Sequence, residues 1–458
     1  MIAILKREWK SYFQNITGWL FIAAVLALYG LYFLAYNLRA GYPYVSYTLS
    51  AISFIMLIAV PILTMRSMAE ERHSRTDQLV LTAPVSLGKM IFGKFLAMVG
   101  VFTVAVAVIA VTPLVLAAFG TVPMGENYVA VLGFWLYGCT CIAVGMLASA
   151  LTESQVIAAV VAFAFLFLGY MMNSITGLIG DHLITKVLGA YDLYTPLQSF
   201  MSGCLDLTGV VYFVSVTALC LFLTCQCVQK RRWSMTTKKL TTGMFSVAMI
   251  VVGFAVAVAV NMVVKEMPSS WTAVDATSTK LYSLTDTTKD YVKNLSQDVT
   301  IYVLSSEKSA DSTLAETLQR YEDLSKHLNV VYKDPAKSPN FYQQYTDSAP
   351  SQNSMIVVSD ARSRVGDYSD IYEYSYDYST YSSSVDGYDA EGQLTSALQY
   401  VTKADSELPV IYEITGHGEN TLSGGFSEAV EKANMTVSQL TLLTEDAVPD
   451  DAAAIIIN

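Results

Sequence analysis

For its first 264 residues the chain alternates long apolar runs with short polar breaks, and it then abandons that pattern. Seven runs are long enough to cross a hydrocarbon core about 30 Å thick, for which a helix needs roughly 20 apolar residues. They lie at about 17–36, 46–65, 91–118, 129–151, 156–175, 209–228 and 244–264. Pro61 and Pro113 fall inside two of them. Membrane helices tolerate proline, and the overlong third run has room for a kink or break at Pro113. Ahead of the first run, Ile2, Leu5, Trp9, Phe13 and Ile16 recur at three-to-four spacing, with Lys6, Arg7 and Lys10 between them. That pattern predicts a helix lying in the membrane interface.

Beyond residue 264 the periods shorten. Thr285 or Asp286 is placed to cap a helix running through Tyr291, Val292 and Leu295. Strands are expected at 299–304, 329–332, 354–359, 409–414, 436–443 and 453–457, with helices at 313–328, about 392–402 and 426–433. Such alternation predicts an α/β domain with a mostly parallel sheet. Between 365 and 388, Tyr368, Tyr372, Tyr374, Tyr376, Tyr378, Tyr381 and Tyr388 alternate with Asp and Ser. Two readings fit this stretch: an exposed strand or aromatic sugar-binding face, and a mobile acidic insertion, which we prefer. The chain stops at AAAIIIN within an expected core strand, so the domain is expected to continue past Asn458.

Composition agrees with a membrane protein. The chain is 53% hydrophobic and 15% charged, with a mean hydropathy of +0.41, which excludes an ordinary soluble enzyme. The net charge of −11 is unevenly shared. Residues 1–264 carry +6 and residues 265–458 carry −17. The basic residues sit in clusters between spans, which argues against nucleic-acid binding. Lys6, Arg7 and Lys10, then Arg66, Arg72, Arg75 and Lys89, then Lys230, Arg231, Arg232, Lys238 and Lys239 fall on one side of the seven spans. Only Arg39 and Lys186 occupy the opposite short loops. Basic loops stay inside, so the N-terminus is expected in the cytoplasm and residues 265–458 outside it, at the cell membrane. The first span lacks a small-residue cleavage pattern and is expected to remain. All six cysteines precede residue 265, so the outer domain has no disulfide framework.

The spans are nearly free of ionisable residues, the default markers of an ion pathway. Glu153, in the tight turn 152–155, comes nearest, which favours ATP-driven over proton-coupled transport. Gly133, Gly138, Gly145, Ala148 and Ala150 in the fourth run offer close helix packing. The loop after the second span is richer in chemistry. Glu70, Glu71, Arg72, Arg75 and Asp77 crowd into two helical turns, and Leu79, Leu81 and Pro84 follow. A charged surface beside a short apolar segment suits docking onto a soluble partner, while a solvated turn that only sets topology is the plainer reading. Gly88 to Lys94 spells the start of a phosphate-cradling loop, but Phe95 replaces the required Ser or Thr and no strand precedes it. The chain is therefore not expected to bind ATP itself.

The interfacial helix, the six spans and this loop resemble the ABC type-2 permeases. The resemblance rests on an E-E-(R/K)-x-x-x-T stretch, an acidic residue and a Leu after it, and P-V leading into G-K-F, carried by Glu70, Glu71, Arg72, Thr76, Asp77, Leu79, Thr82, Ala83, Pro84 and Val85, then Gly93, Lys94 and Phe95. Arg75 stands where the family usually has Gly. The resemblance covers about residues 1–235. It implies a permease paired with a second copy or a relative, and a separate ATP-binding subunit that holds ATP and Mg. It also implies an ATPase-coupling loop comprising Glu70, Glu71, Arg72, Arg75, Thr76, Asp77, Leu79 and Pro84.

In the outer domain, a strand ends in Thr415-Gly416-His417-Gly418-Glu419, where α/β folds place ligand loops. Two of three fingerprint glycines are present, and neither a third metal ligand nor a nucleophile elbow accompanies His417 and Glu419. A docking or structural loop is favoured over ligand binding, and both over catalysis. Leu281, Ser283, Leu284, Thr285, Thr288, Val299 and Ile301, then Glu391, Leu394, Ala397 and Leu398, and the Thr415–Glu419 loop resemble the auxiliary domain of gliding-motility-type ABC transporters. That likeness spans about residues 244–458 and implies a fusion of permease and auxiliary part, with 236–264 as linker and seventh span. The expected function is thus a transport permease without an enzyme activity of its own, acting as an exporter on an unidentified cargo. A non-transporting anchor for a surface adhesion or motility scaffold is the alternative.

Overall fold

The computed structural model describes all residues except 1, 76–85, 180–187, 231–238, 266, 268–271, 278–282, 308, 378–381, 404–407, 417, 421, 423, 443–446 and 458. The chain divides into two compact units, Met1–Leu281 and Tyr282–Asn458.

In the first unit, α1 (Ile2–Gln14) precedes α2 (Ile16–Phe33), which widens into a π-helical turn at Leu34–Arg39. Then come α3 (Ser46–Thr64), α4 (Arg66–His73), α5 (Leu87–Ile109), α6 (Thr112–Ala117), α7 (Met124–Leu151) and α8 (Gln155–Ile179). A short α9 (Thr195–Met201), α10 (Leu207–Lys230) and α11 (Lys239–Lys265) complete the unit. Among the described residues, seven helical stretches are long and apolar enough to span a membrane. They coincide with the seven expected runs. The third is broken where expected, with α6 restarting at Thr112 and Pro113 in its first turn, where proline's missing N–H costs nothing.

The fourth span, α7, is the most enclosed, with 78% of its apolar window buried against 28% for the first and fifth. It packs against α3, α5, α8 and α10. Without a hydrophobic drive between helices in lipid, close approach must supply dispersion contacts. A Cβ at Gly133, Gly138 or Gly145 would strike Phe200, Phe102 or Thr64 respectively. The small residues of the fourth span therefore serve packing, as their spacing suggested. At one end of the unit, the buried Asn127 accepts a 2.6 Å hydrogen bond from the Val45 N–H and donates to the carbonyls of Pro43 and Pro123. The last span, α11, has no buried residue among those whose side chains are described. Its Asn261 amide donates to the Ser215 hydroxyl of α10 at 2.7 Å.

A short strand, β1 (Cys204–Asp206), pairs antiparallel with β2 (Ala273–Asp275). The stretch following the seventh span therefore stays with the membrane unit through Asp275, whereas the charge split had put the outer domain's start at residue 265.

The second unit is α/β. Thr285 caps α12 (Asp286–Lys293) through the Thr288 N–H. Then follow β3 (Val299–Val303), α13 (Ser312–Leu324), β4 (Leu328–Tyr332), β5 (Met355–Ser359) and β6 (Ser363–Gly366). The hairpin β7 (Tyr372–Asp377) and β8 (Ser382–Tyr388) leads to α14 (Ala390–Thr402), β9 (Val410–Ile414), α15 (Gly425–Lys432), β10 (Thr436–Leu440) and β11 (Ala452–Ile456). The mostly parallel sheet of the sequence reading divides into two sheets plus the hairpin. In the first, ordered β4-β3-β5-β6, only β3 and β4 are parallel; in the second, ordered β10-β9-β11, both pairings are parallel. The antiparallel β5 arises because the connection after β4 carries only a 3-10 turn, Phe341–Gln344, and a parallel return normally uses a helical crossover.

The tyrosine-rich stretch is structured where it is described, which corrects the preferred reading of a mobile insertion. Tyr368, Tyr372 and Tyr388 pack on the core formed by Val299, Ile301, Leu318 and Leu394. Tyr372 donates to Asp311 at 3.0 Å, and Asp311 itself caps α13. Period-two tyrosines fit either a solvent-facing or a core-facing strand edge, because ring and hydroxyl suit different surroundings.

Candidate functional site

Among the described residues of the membrane unit, the charged residues around α4 form a dense ionic cluster, at the end expected to be cytoplasmic. The short helix α4 follows α3 after a one-residue break at Met65. Its first-turn N–H groups need acceptors. The buried Ser149 of α7 supplies them: its hydroxyl accepts from Met68 and Ala69 at 3.1 Å each and donates to the Met65 carbonyl at 3.0 Å. One serine therefore docks α4 onto the central helix.

The side chains of α4 then reach three further elements. Glu71 meets the Lys94 ammonium of α5 at 2.6 Å, and Lys94 also donates to the Ser67 carbonyl at 2.9 Å. Lys94 is only 2% exposed. From α1, Glu8 comes within 4.0 Å of Lys94, and Arg7 lies 2.5 Å from Glu8 and 3.7 Å from Glu71. Arg72 reaches the Glu153 carboxylate in the α7–α8 turn at 2.7 Å. Removing one partner of a buried pair such as Lys94–Glu71 costs about 3–5 kcal/mol, because an uncompensated charge is left behind. The two-pronged Arg66–Glu70 pair, at 2.8 Å per contact, is half-exposed and local to α4. Pairs of that kind contribute about 0.3–0.5 kcal/mol. Glu71 and Lys94 therefore hold the cluster together, while Glu70 and Arg66 shape its surface.

Of the expected coupling residues, Glu70, Glu71 and Arg72 lie on α4. Arg75 follows it at a positive φ of 57° and is exposed. Thr76, Asp77, Leu79 and Pro84 lie outside the described residues. Sequence reasoning missed Ser149, Glu8, Arg66 and the role of Lys94. The G-x-x-x-x-G-K spelling that ended at Lys94 lies along α5, which needs a buried cation there for Glu71. A lone lysine inside an apolar run, with acidic residues upstream, was the available signal. The helix ahead of the first span was legible; its Trp9 ring seats on Gly100 of α5, where a Cβ would collide with it.

In the second unit, Thr415 leaves β9 with its N–H on the Leu440 carbonyl at 3.0 Å, and its hydroxyl meets that of Thr441 at 3.1 Å. Gly416 and Gly418 take φ of 117° and 95°, backbone open mainly to glycine. His417 lies outside the described residues. Among the described residues, no group of three or more His, Cys, Asp or Glu could hold a metal ion.

Comparison with known families bears on both halves. Residues 39–228 match the ABC-2 family transporter protein. The membrane half is thus a permease domain of the ABC-2 type, and the chain is a multi-pass membrane protein carrying it. The match runs from the end of the first span to the end of the sixth and includes Glu71, Lys94, Ser149 and Glu153; Arg7 and Glu8 precede it. Residues 278–368 match a domain of unknown function, DUF7088. No curated protein and no solved structure matches the chain.

Proposed function

We propose that this chain is the permease subunit of an ATP-driven exporter, whose ATP and Mg are held by a separate ATP-binding subunit. The observation that carries the reading is the ABC-2 match over the spans that hold α4 between them. The segment Glu70–Pro84 is the docking surface, and the unit after residue 282 is an outer auxiliary part for cargo or partner binding, as in the gliding-motility-type systems it resembles. Two copies, or one copy and a relative, complete the path through the bilayer. The loop 415–419 is a docking loop within that auxiliary part.

The test is co-purification of the full chain with an ATP-binding cassette protein from native membranes. Charge reversal at Glu70, Glu71 and Arg72 is expected to abolish it. Unchanged pairing in that variant refutes the docking role of the loop. Stimulation of ATP hydrolysis in liposomes separates transport from the alternative of a membrane anchor, which would give none.

A further inference from the structure

Lys94 is out of place in an ordinary span. It sits eight residues into α5, 2% exposed, among apolar neighbours such as Ile91, Phe95 and Met98. A cation there is costly unless it is paired, and intramembrane or near-membrane charges of this sort usually mark function. Its partners come from elements that are distant in sequence. Glu71 is on α4, the Ser67 carbonyl is on the same helix, and Glu8 is on α1. The cation therefore lies where the interfacial helix, the short charged helix and the third span meet. Ser149 fixes α4 to the fourth span by its backbone only at the opposite end of the short helix, near Met68 and Ala69. A displacement of α4 thus carries Glu71 with it, together with Arg72, which ties the same end to Glu153 in the α7–α8 turn.

We propose that Lys94 is a positioning residue for energy coupling: it ties Glu71 of α4 to the third span and to α1, so that movement of α4 drives both. The proposal rests on the permease reading above and adds the route by which docking becomes movement of a span. Replacing a whole buried pair such as Lys94–Glu71 by apolar residues of similar volume is often neutral or stabilising, so the buried charge needs a reason beyond stability. Coupling supplies one, because an ion pair transmits displacement in direction and register where an apolar contact slides.

The experiment uses the full chain with the ATP-binding subunit recovered with it, reconstituted in liposomes. Lys94→Met is expected to retain the subunit on co-purification and to keep the KM for ATP, while the stimulated kcat falls at least tenfold. Lys94→Arg, which keeps the charge, is expected to recover most of that kcat. A kcat within twofold of wild type in Lys94→Met overturns the proposal, and so does an equal loss in Lys94→Met and Lys94→Arg. Should Lys94→Met fail to fold, Lys94→Gln, which keeps a donor for the Ser67 carbonyl, decides by the same two thresholds. A wild-type chain that recruits no ATP-binding subunit overturns the permease reading and this inference together. Failure of the variants alone overturns only the inference.

Discussion

A serine hydroxyl has one donor and two acceptor sites, and Ser149 uses all three on the Met65–Ala69 backbone. Ser149→Ala strands two N–H groups and a carbonyl in a buried place, at about 1–3 kcal/mol. Detergent-solubilised protein should therefore melt several degrees lower, and an unchanged melting temperature would show that water replaces the hydroxyl. Asp367 carries a different signature. Burial alone would raise its carboxyl, but hydrogen bonds from the Ser351 hydroxyl and from the Ser369 and Ser351 N–H groups outweigh that and hold it well below the usual carboxylate range. A depressed folded value contributes stability above the unfolded pKa of about 3.9, and the contribution fades as pH falls through the folded value. Acid unfolding of wild type should thus steepen below about pH 4, and Asp367→Asn should flatten that dependence. At this scale legibility was mixed. The Thr285 cap could be read because its partner is three residues away; Lys94 could not, because Glu71 and Glu8 lie 23 and 86 positions off.

Helices and strands were easier to read than their joints. The apolar runs gave seven spans because length and hydropathy alone define them. The docking of α4 at Met65–Ala69 left no mark in the sequence, since its partner is a serine on another helix. β1 and β2 were missed because three-residue strands hold no period, and a strand at the tyrosine-rich stretch was only the second reading because alternating tyrosines fit both faces. At the scale of elements, the seat of α1 on α5 makes a clear prediction. Gly100→Leu fills the space of the Trp9 ring and should release α1. Trypsin should then cut faster at Lys6, Arg7 and Lys10 in inside-out vesicles. Equal cutting rates would show that Trp9 does not anchor the helix.

For the whole molecule, the uneven charge is a statement about orientation. Twelve basic residues on one side of the spans predict a cytoplasmic α4 and an outer second unit. Arg75 and Ser338 are both exposed, so cysteines placed there report the two sides. Ser338→Cys should react with a membrane-impermeant maleimide in intact cells, and Arg75→Cys only after permeabilisation; the reverse pattern would invert the topology. The −11 total concealed this, since it averages a basic membrane half and an acidic second half.

The seventh span shows how little it takes to index a helix in lipid. With no buried residue described along it, α11 finds its depth from its length and flanking charge, neither of which selects a rotation about its axis. Gly253 seats against Phe222 of α10, and among the described residues the polar choice among rotations comes from the Asn261 amide on Ser215. Such a bond contributes about 0.6 kcal/mol on average and up to about 2 in favourable cases, a preference of roughly threefold to thirtyfold for the indexed setting. The seventh span, past the matched residues 39–228, thus rests on a weak polar key.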